Sequence, residues 1–140
     1  VFDFNSHLER KNPTAVLEGF AKAFPKPAKA FSKTALKEDA KVGLVLKVMN
    51  ANPADLAWQK FEKSCKSDKR IHVMNQTMDR GEVLALINVC DVYVSPHRAE
   101  GFGRTLTEAM LLGKPVVATN YSGNAFYMLS KPLRQSALGN

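Results

Sequence analysis

Apolar positions follow two different periods along this chain. Residues 42–49, Val42-Gly-Leu-Val-Leu-Lys-Val-Met49, form a near-continuous apolar run, the pattern of a strand buried on both faces of a parallel sheet. Shorter apolar runs at 1–5, 70–74, 92–95 and 116–119 predict further strands. Between them the spacing becomes helical. Val16, Phe20, Ala23 and Phe24 recur at helical intervals after Asn12-Pro13. A helix is therefore predicted from 13 to about 24, with Pro13 at its first position and Pro25-Lys-Pro27 ending it. Pro53 is expected to start a second helix, running to about 65. Asp79-Arg-Gly-Glu82 has the spacing of a capping box and starts a third, to about 89. A fourth is predicted over 103–112, closed by Gly113, whereas the polar, Lys-rich residues 28–40 read as a loop. About five strands alternating with four helices predict an α/β fold, a Rossmann-like, doubly wound parallel sheet. Ligands of such sheets bind beyond the carboxyl ends of the strands, which directs attention to the loops after Asn5, Asn75, Ser95 and Thr119.

A chain of 140 residues has the size of one domain, given the usual ~100–200 residues. Its 45% apolar and 24% charged content is that of a soluble globular protein. No apolar run approaches the ~18–20 residues that span a membrane. The chain opens on a strand-like segment without Met or a basic leader, so it reads as a fragment of a longer protein. Only Cys65 and Cys90 are present. So sparse a count favours a reducing compartment and a cytoplasmic location, and packing is the expected role of Cys90. The two cysteines form no metal-ligand cluster with His7 and His72. A net charge of +7 suits nucleic acid, an anionic membrane surface or a phosphorylated substrate. The basic residues are dispersed, with no aromatic-interleaved stripe, which argues against nucleic acid. A phosphorylated substrate is the favoured partner, and peripheral membrane contact is an addition that the charge permits.

The richest chemistry lies between Ser95 and Thr119. Gly101-Phe-Gly103 stands between a predicted strand and a predicted helix, bracketed by Glu100 and Glu108. A loop of this kind lets backbone approach a ligand and aims free N–H groups at an anion. Carboxylates beside it suit hydroxyl groups. Phosphate donors next to hydroxyl acceptors point to a nucleotide-sugar. A dinucleotide fingerprint does not fit, because Leu106 stands where its third Gly would fall.

These residues resemble the C-terminal signature of retaining glycosyltransferases of the group 1 (family 4) kind, which have the GT-B fold. That signature is a Glu, seven residues and a second Glu, with Gly-Phe-Gly after the first and Glu-Ala-Met around the second. This chain has Glu100-Gly-Phe-Gly103 and Glu108-Ala-Met110, then Gly113-Lys-Pro-Val-Val-Ala-Thr119 and Ser122-Gly-Asn124. Near the start, Phe2-Asp-Phe-Asn-Ser6 and Arg10-Lys-Asn-Pro13 are similar to the family's first strand, loop and helix start.

The resemblance implies that residues 1–140 are the donor half of such an enzyme, with the acceptor-binding N-terminal domain absent. The donor would be a nucleotide-sugar, bound as substrate with no cofactor, and the acceptor a glycan or a lipid-linked molecule. Transfer would retain anomeric configuration without an essential metal. By resemblance, Glu100 takes hydroxyls of the donor sugar and Glu108 the two ribose hydroxyls. Gly101, Phe102, Gly103, Arg104 and Thr105 supply diphosphate-binding amides, and Lys11 contacts the diphosphate. Asn75 and Gln76 follow a predicted strand, a place from which their backbone groups could border the base. Many members carry an Arg six residues before that Lys, where this chain has Asn5. Arg10 or Arg98 is then the source of the missing charge. Ser122, Gly123 and Asn124 are placed on the sugar side.

Each assignment has a plainer alternative. Gly101-Phe-Gly103 could be an ordinary tight turn, Glu100 a helix-start residue facing the dipole, and Lys11 a surface lysine. Helical periodicity alone puts Glu108 opposite the apolar stripe, in solvent. His97 reads as a satisfied loop histidine and Lys47 as a snorkelling edge residue. The chain contains no Asp-x-Asp, the metal–diphosphate clamp of the other major glycosyltransferase fold. Two other functions fit the same pattern: a non-catalytic or regulatory nucleotide-binding module, and a GT-B-fold phosphorylase or epimerase.

Overall fold

The computed structural model describes residues 1–4, 8–25 and 42–128. In chain order these form β1 (Phe2–Asp3), α1 (Leu8–Lys11), α2 (Pro13–Ala23), β2 (Leu44–Met49), α3 (Leu56–Lys66), β3 (Ile71–Asn75), α4 (Arg80–Val89), β4 (Tyr93–Ser95), α5 (Arg104–Leu111), β5 (Val116–Ala118) and a short 3-10 helix, Ser122–Phe126. The predicted loop at 28–40 and the family difference at Asn5 lie outside the described residues.

The predicted alternation of strands and helices is present, and the strand pairs among the described residues are parallel. β2 lies between β1 and β3, with Phe2 opposite Val48 and Lys47 opposite Met74. β4 and β5 form a separate ladder, with Val94 opposite Val117. β1 spans two residues and β4 three, which leaves few backbone groups to join the ladders. They are tied through their exits instead: Asn12 Nδ2 donates to Pro96 O at 3.0 Å, and Arg98 N to Arg10 O at 2.8 Å. The result is a Rossmann-like α/β unit whose two halves meet where β1 and β4 leave the sheet.

Alternation along β2 explains the main core. Phe2, Leu46 and Val48 face Val16 of α2 and Trp58, Phe61 and Cys65 of α3. Phe4 meets Trp58 edge-on, with ring centroids 5.0 Å apart. Burial pushes the Cys65 thiol up to about 11, so this cysteine packs rather than reacts. A second buried group, Ile87, Leu106 and Ala109, lies on α4 and α5, and these helices pack together. The Asp79–Glu82 capping box is present in both directions, at 2.8 Å each.

Two expectations need correction. Pro53 does not start α3. Asp55 caps it, accepting from Ala57 N at 2.7 Å, and Pro53 lies in the preceding turn. A carboxylate cap satisfies an otherwise orphaned N–H, which a proline cannot do. Lys47 is not an edge residue either. It sits on the central strand between β1 and β3 and is only 2% exposed, although Val45, two positions earlier, is 38% exposed. Among the described residues its Nζ has no hydrogen-bond partner.

Candidate active site

The site is built around a positive-φ asparagine. Asn12 separates α1 from α2 at φ 52°, a region that asparagine tolerates better than most residues. Its side chain reaches the Pro96 carbonyl. Lys11, at the end of α1, is thereby brought beside the loop that leaves β4, and its Nζ forms an ion pair with Glu100 Oε1. Both side chains are mostly buried, at 22% and 11% exposure. Residues 89 positions apart in the chain thus share one contact.

The loop after Glu100 turns into α5 at Gly103. This glycine has φ 77°, and a Cβ there would lie 2.8 Å from both Leu106 Cδ1 and the Tyr127 hydroxyl. Tyr127 donates to Phe102 O at 2.6 Å and also reaches Gly103 O at 3.2 Å. The Phe102 ring, itself exposed, lies against Tyr127. The carbonyls of Phe102 and Gly103 are therefore occupied. Among the described residues the backbone N–H groups of Gly101, Phe102, Gly103, Arg104 and Thr105 donate to no protein acceptor. Free amides at the start of an eight-residue helix favour an anion.

Glu108 follows one turn further along α5. It is buried, at 7% exposure, which corrects the periodicity reading. α5 packs on α4 as well as on β4 and β5, so two of its sides are covered. Arg80 at the start of α4 pairs with Glu108, its Nε 3.4 Å from Glu108 Oε1. That oxygen accepts no hydrogen bond within hydrogen-bonding geometry. Tyr93 holds the first turn of α5, its hydroxyl 2.8 Å from Thr105 Oγ1. Burial, with smaller contributions from the fields of Glu100 and Glu108 and against the opposing bond to Thr105, pushes the Tyr93 phenol up to about 12.

His97 is a satisfied loop histidine, as the plainer alternative held. It is 1% exposed; Nδ1 lies 3.0 Å from Ser95 O, and Nε2 lies 2.8 Å from Asn124 Oδ1. Asn124 is also 1% exposed and donates through Nδ2 to Thr119 O at 2.9 Å. It is therefore interior rather than on the sugar side.

Lys11, Glu100 and residues 101–105 come together, with Glu108 on the helix that starts there. Arg98 contributes its backbone N–H to Arg10; among the described residues its guanidinium makes no ion pair. Asn75 is not drawn into this group. It ends β3 and lines a cavity of about 380 Å³ with Trp58, Cys65 and Val73, on the α3 side of the sheet. Sequence reasoning missed Arg80 and Tyr93. Arg80 stood only as part of the capping-box motif, and Tyr93 only as part of a strand-like run, so neither carried a site signal. Among the described residues no three His, Cys, Asp or Glu side chains are grouped as metal ligands, and no helix is long and apolar enough to cross a membrane.

The sequence model of one protein family, Glycosyl transferases group 1, matches residues 8–129, which includes every part of this site. A comparison with curated proteins found no match. With residues 8–129 covered, the chain belongs to the group 1 glycosyltransferases, and its α/β fold carries a glycosyl-transfer domain.

Proposed function

We propose that this chain is the donor-binding half of a retaining, metal-independent GT-B glycosyltransferase that uses a nucleotide-sugar and no cofactor. One observation carries the reading: Lys11 and Glu100 meet beside a run of unpaired backbone amides. Those amides and Lys11 take the diphosphate. Glu108, with an oxygen left without a donor, accepts the two ribose hydroxyls, since an ionised carboxylate can take two O–H groups at once. Glu100 takes hydroxyls of the transferred sugar. On donor binding the Lys11 ammonium exchanges Glu100 for phosphate oxygens, and the freed carboxylate turns to the sugar. Negative charge growing on the leaving diphosphate is then met by preorganised donors. The acceptor, a glycan or lipid-linked molecule, is held by a second domain.

The same arrangement supports metal independence, because Lys11 and the loop amides would supply the positive charge facing the phosphates. Calorimetric titration with UDP, GDP and ADP tests both points. At least one should bind, with equal affinity before and after EDTA. Binding that disappears with EDTA and returns with magnesium or manganese would contradict metal independence.

A further inference from the structure

The Glu100 peptide is gripped by one side chain from the exit of β5. Ser122 Oγ donates to Glu100 O at 2.6 Å and accepts from Glu100 N at 3.3 Å. Gly123 N reaches the same carbonyl at 3.0 Å. The two segments approach so closely that a Cβ on Gly123 would fall 1.4 Å from Gly101 O. Ser122 itself has φ 72°, a conformation that disfavours any side chain. Glycine would adopt it freely, so the hydroxyl offsets a backbone penalty, and its bonds in this structure go to Glu100.

The gripping segment is anchored in turn. His97 Nε2 faces Asn124 Oδ1 at 2.8 Å and Tyr121 O at 3.3 Å, bracketing Ser122 on both sides in sequence. The bond from Asn124 Nδ2 to Thr119 O fixes which way that amide points. A buried polar pair therefore sets where Ser122 stands, and Ser122 sets the Glu100 backbone from which the carboxylate reaches Lys11.

We infer that Ser122 is a positioning residue for Glu100, acting on the donor sugar through that carboxylate and not by touching the donor. The inference rests on the reading that Glu100 faces the donor sugar. Ser122→Gly keeps the backbone conformation and removes the hydroxyl, and Ser122→Ala removes the hydroxyl alone. Without ligand, the NMR cross-peak between the Lys11 ε protons and the Glu100 γ protons should be present in the native chain and weakened in both variants. With ligand, affinities for UDP, GDP and ADP should be unchanged. Affinity for the matching conjugate among UDP-glucose, GDP-mannose and ADP-glucose should fall about tenfold, the scale of one charge-assisted hydrogen bond. An unchanged cross-peak, an equal loss for nucleotide and conjugate, or a loss in Ser122→Ala but not in Ser122→Gly would overturn the inference. If the native chain binds none of these ligands, the donor-site reading fails, and the cross-peak alone decides the role of Ser122.

Discussion

Glu108 Oε1 and Lys47 Nζ are both buried atoms without a hydrogen-bond partner among the described residues, yet the surroundings differ. Glu108 lies beside a run of free amides and next to Arg80, which suits a ligand. Glu108→Ala should weaken nucleoside diphosphate binding by about 1–3 kcal/mol, the range for losing a hydrogen bond to a charged group. Inorganic pyrophosphate has no ribose and should bind as before. Calorimetry with both ligands checks this, and equal losses would remove Glu108 from the ribose. Lys47 lies on the central strand, and burial lowers its pKa from the ordinary 10.5 against the pull of Asp3. The folded state thus releases this proton before the unfolded state does. Between the lowered value and 10.5 the unfolded chain binds more protons, so stability rises with pH there and falls as pH drops through that window. Lys47→Met should stabilise the fold by about 1–3 kcal/mol near neutral pH and should remove that rise. Urea denaturation of both proteins across pH 7 to 10 is the measurement, and a destabilised Lys47→Met would show that the ammonium has a partner.

At the scale of elements, the apposed exits of β4 and β5 are the critical feature. Gly123→Ala cannot keep its present contact, because the added carbon would overlap the Gly101 carbonyl. The exits should separate, with loss of protection at the Gly123 amide in hydrogen exchange and weaker binding of nucleotide-sugars. Full protection in that variant would contradict the close approach. Much of this level was legible in the sequence. The capping box at Asp79, the apolar run of β2 and the glycine turn into α5 are local signals, and the structure has each of them. Glu108 was misread because periodicity treats a helix as having one covered face, and Lys47 because a charge near the end of an apolar run was given an edge position although the run itself read as buried on both faces. α5 is covered by both sheet and α4, and β2 is flanked on both edges. The Lys11–Glu100 contact spans 89 positions and has no local signal, so only the family resemblance brought the two residues into one site. Ser122 gave no sign of its left-handed backbone, since glycine stands one position later.

At the scale of the whole molecule, the proposed donor half does not by itself account for transfer. Transfer to an acceptor needs water excluded and the acceptor oriented, which a second domain closing over the donor would provide. This chain alone should bind a donor without transferring sugar, and a parent carrying both domains should transfer. Within that parent, Glu100→Ala should reduce turnover more than it reduces nucleoside diphosphate affinity. The central claim, that the turn from β4 into α5 cradles a diphosphate, is tested most directly by amide NMR of this chain titrated with UDP, GDP and ADP. At millimolar concentration one of them should shift the amides of Gly101 to Thr105 and of Glu108, and leave the α3 amides in place. Shifts absent from 101–108 with all three nucleotides would contradict the account.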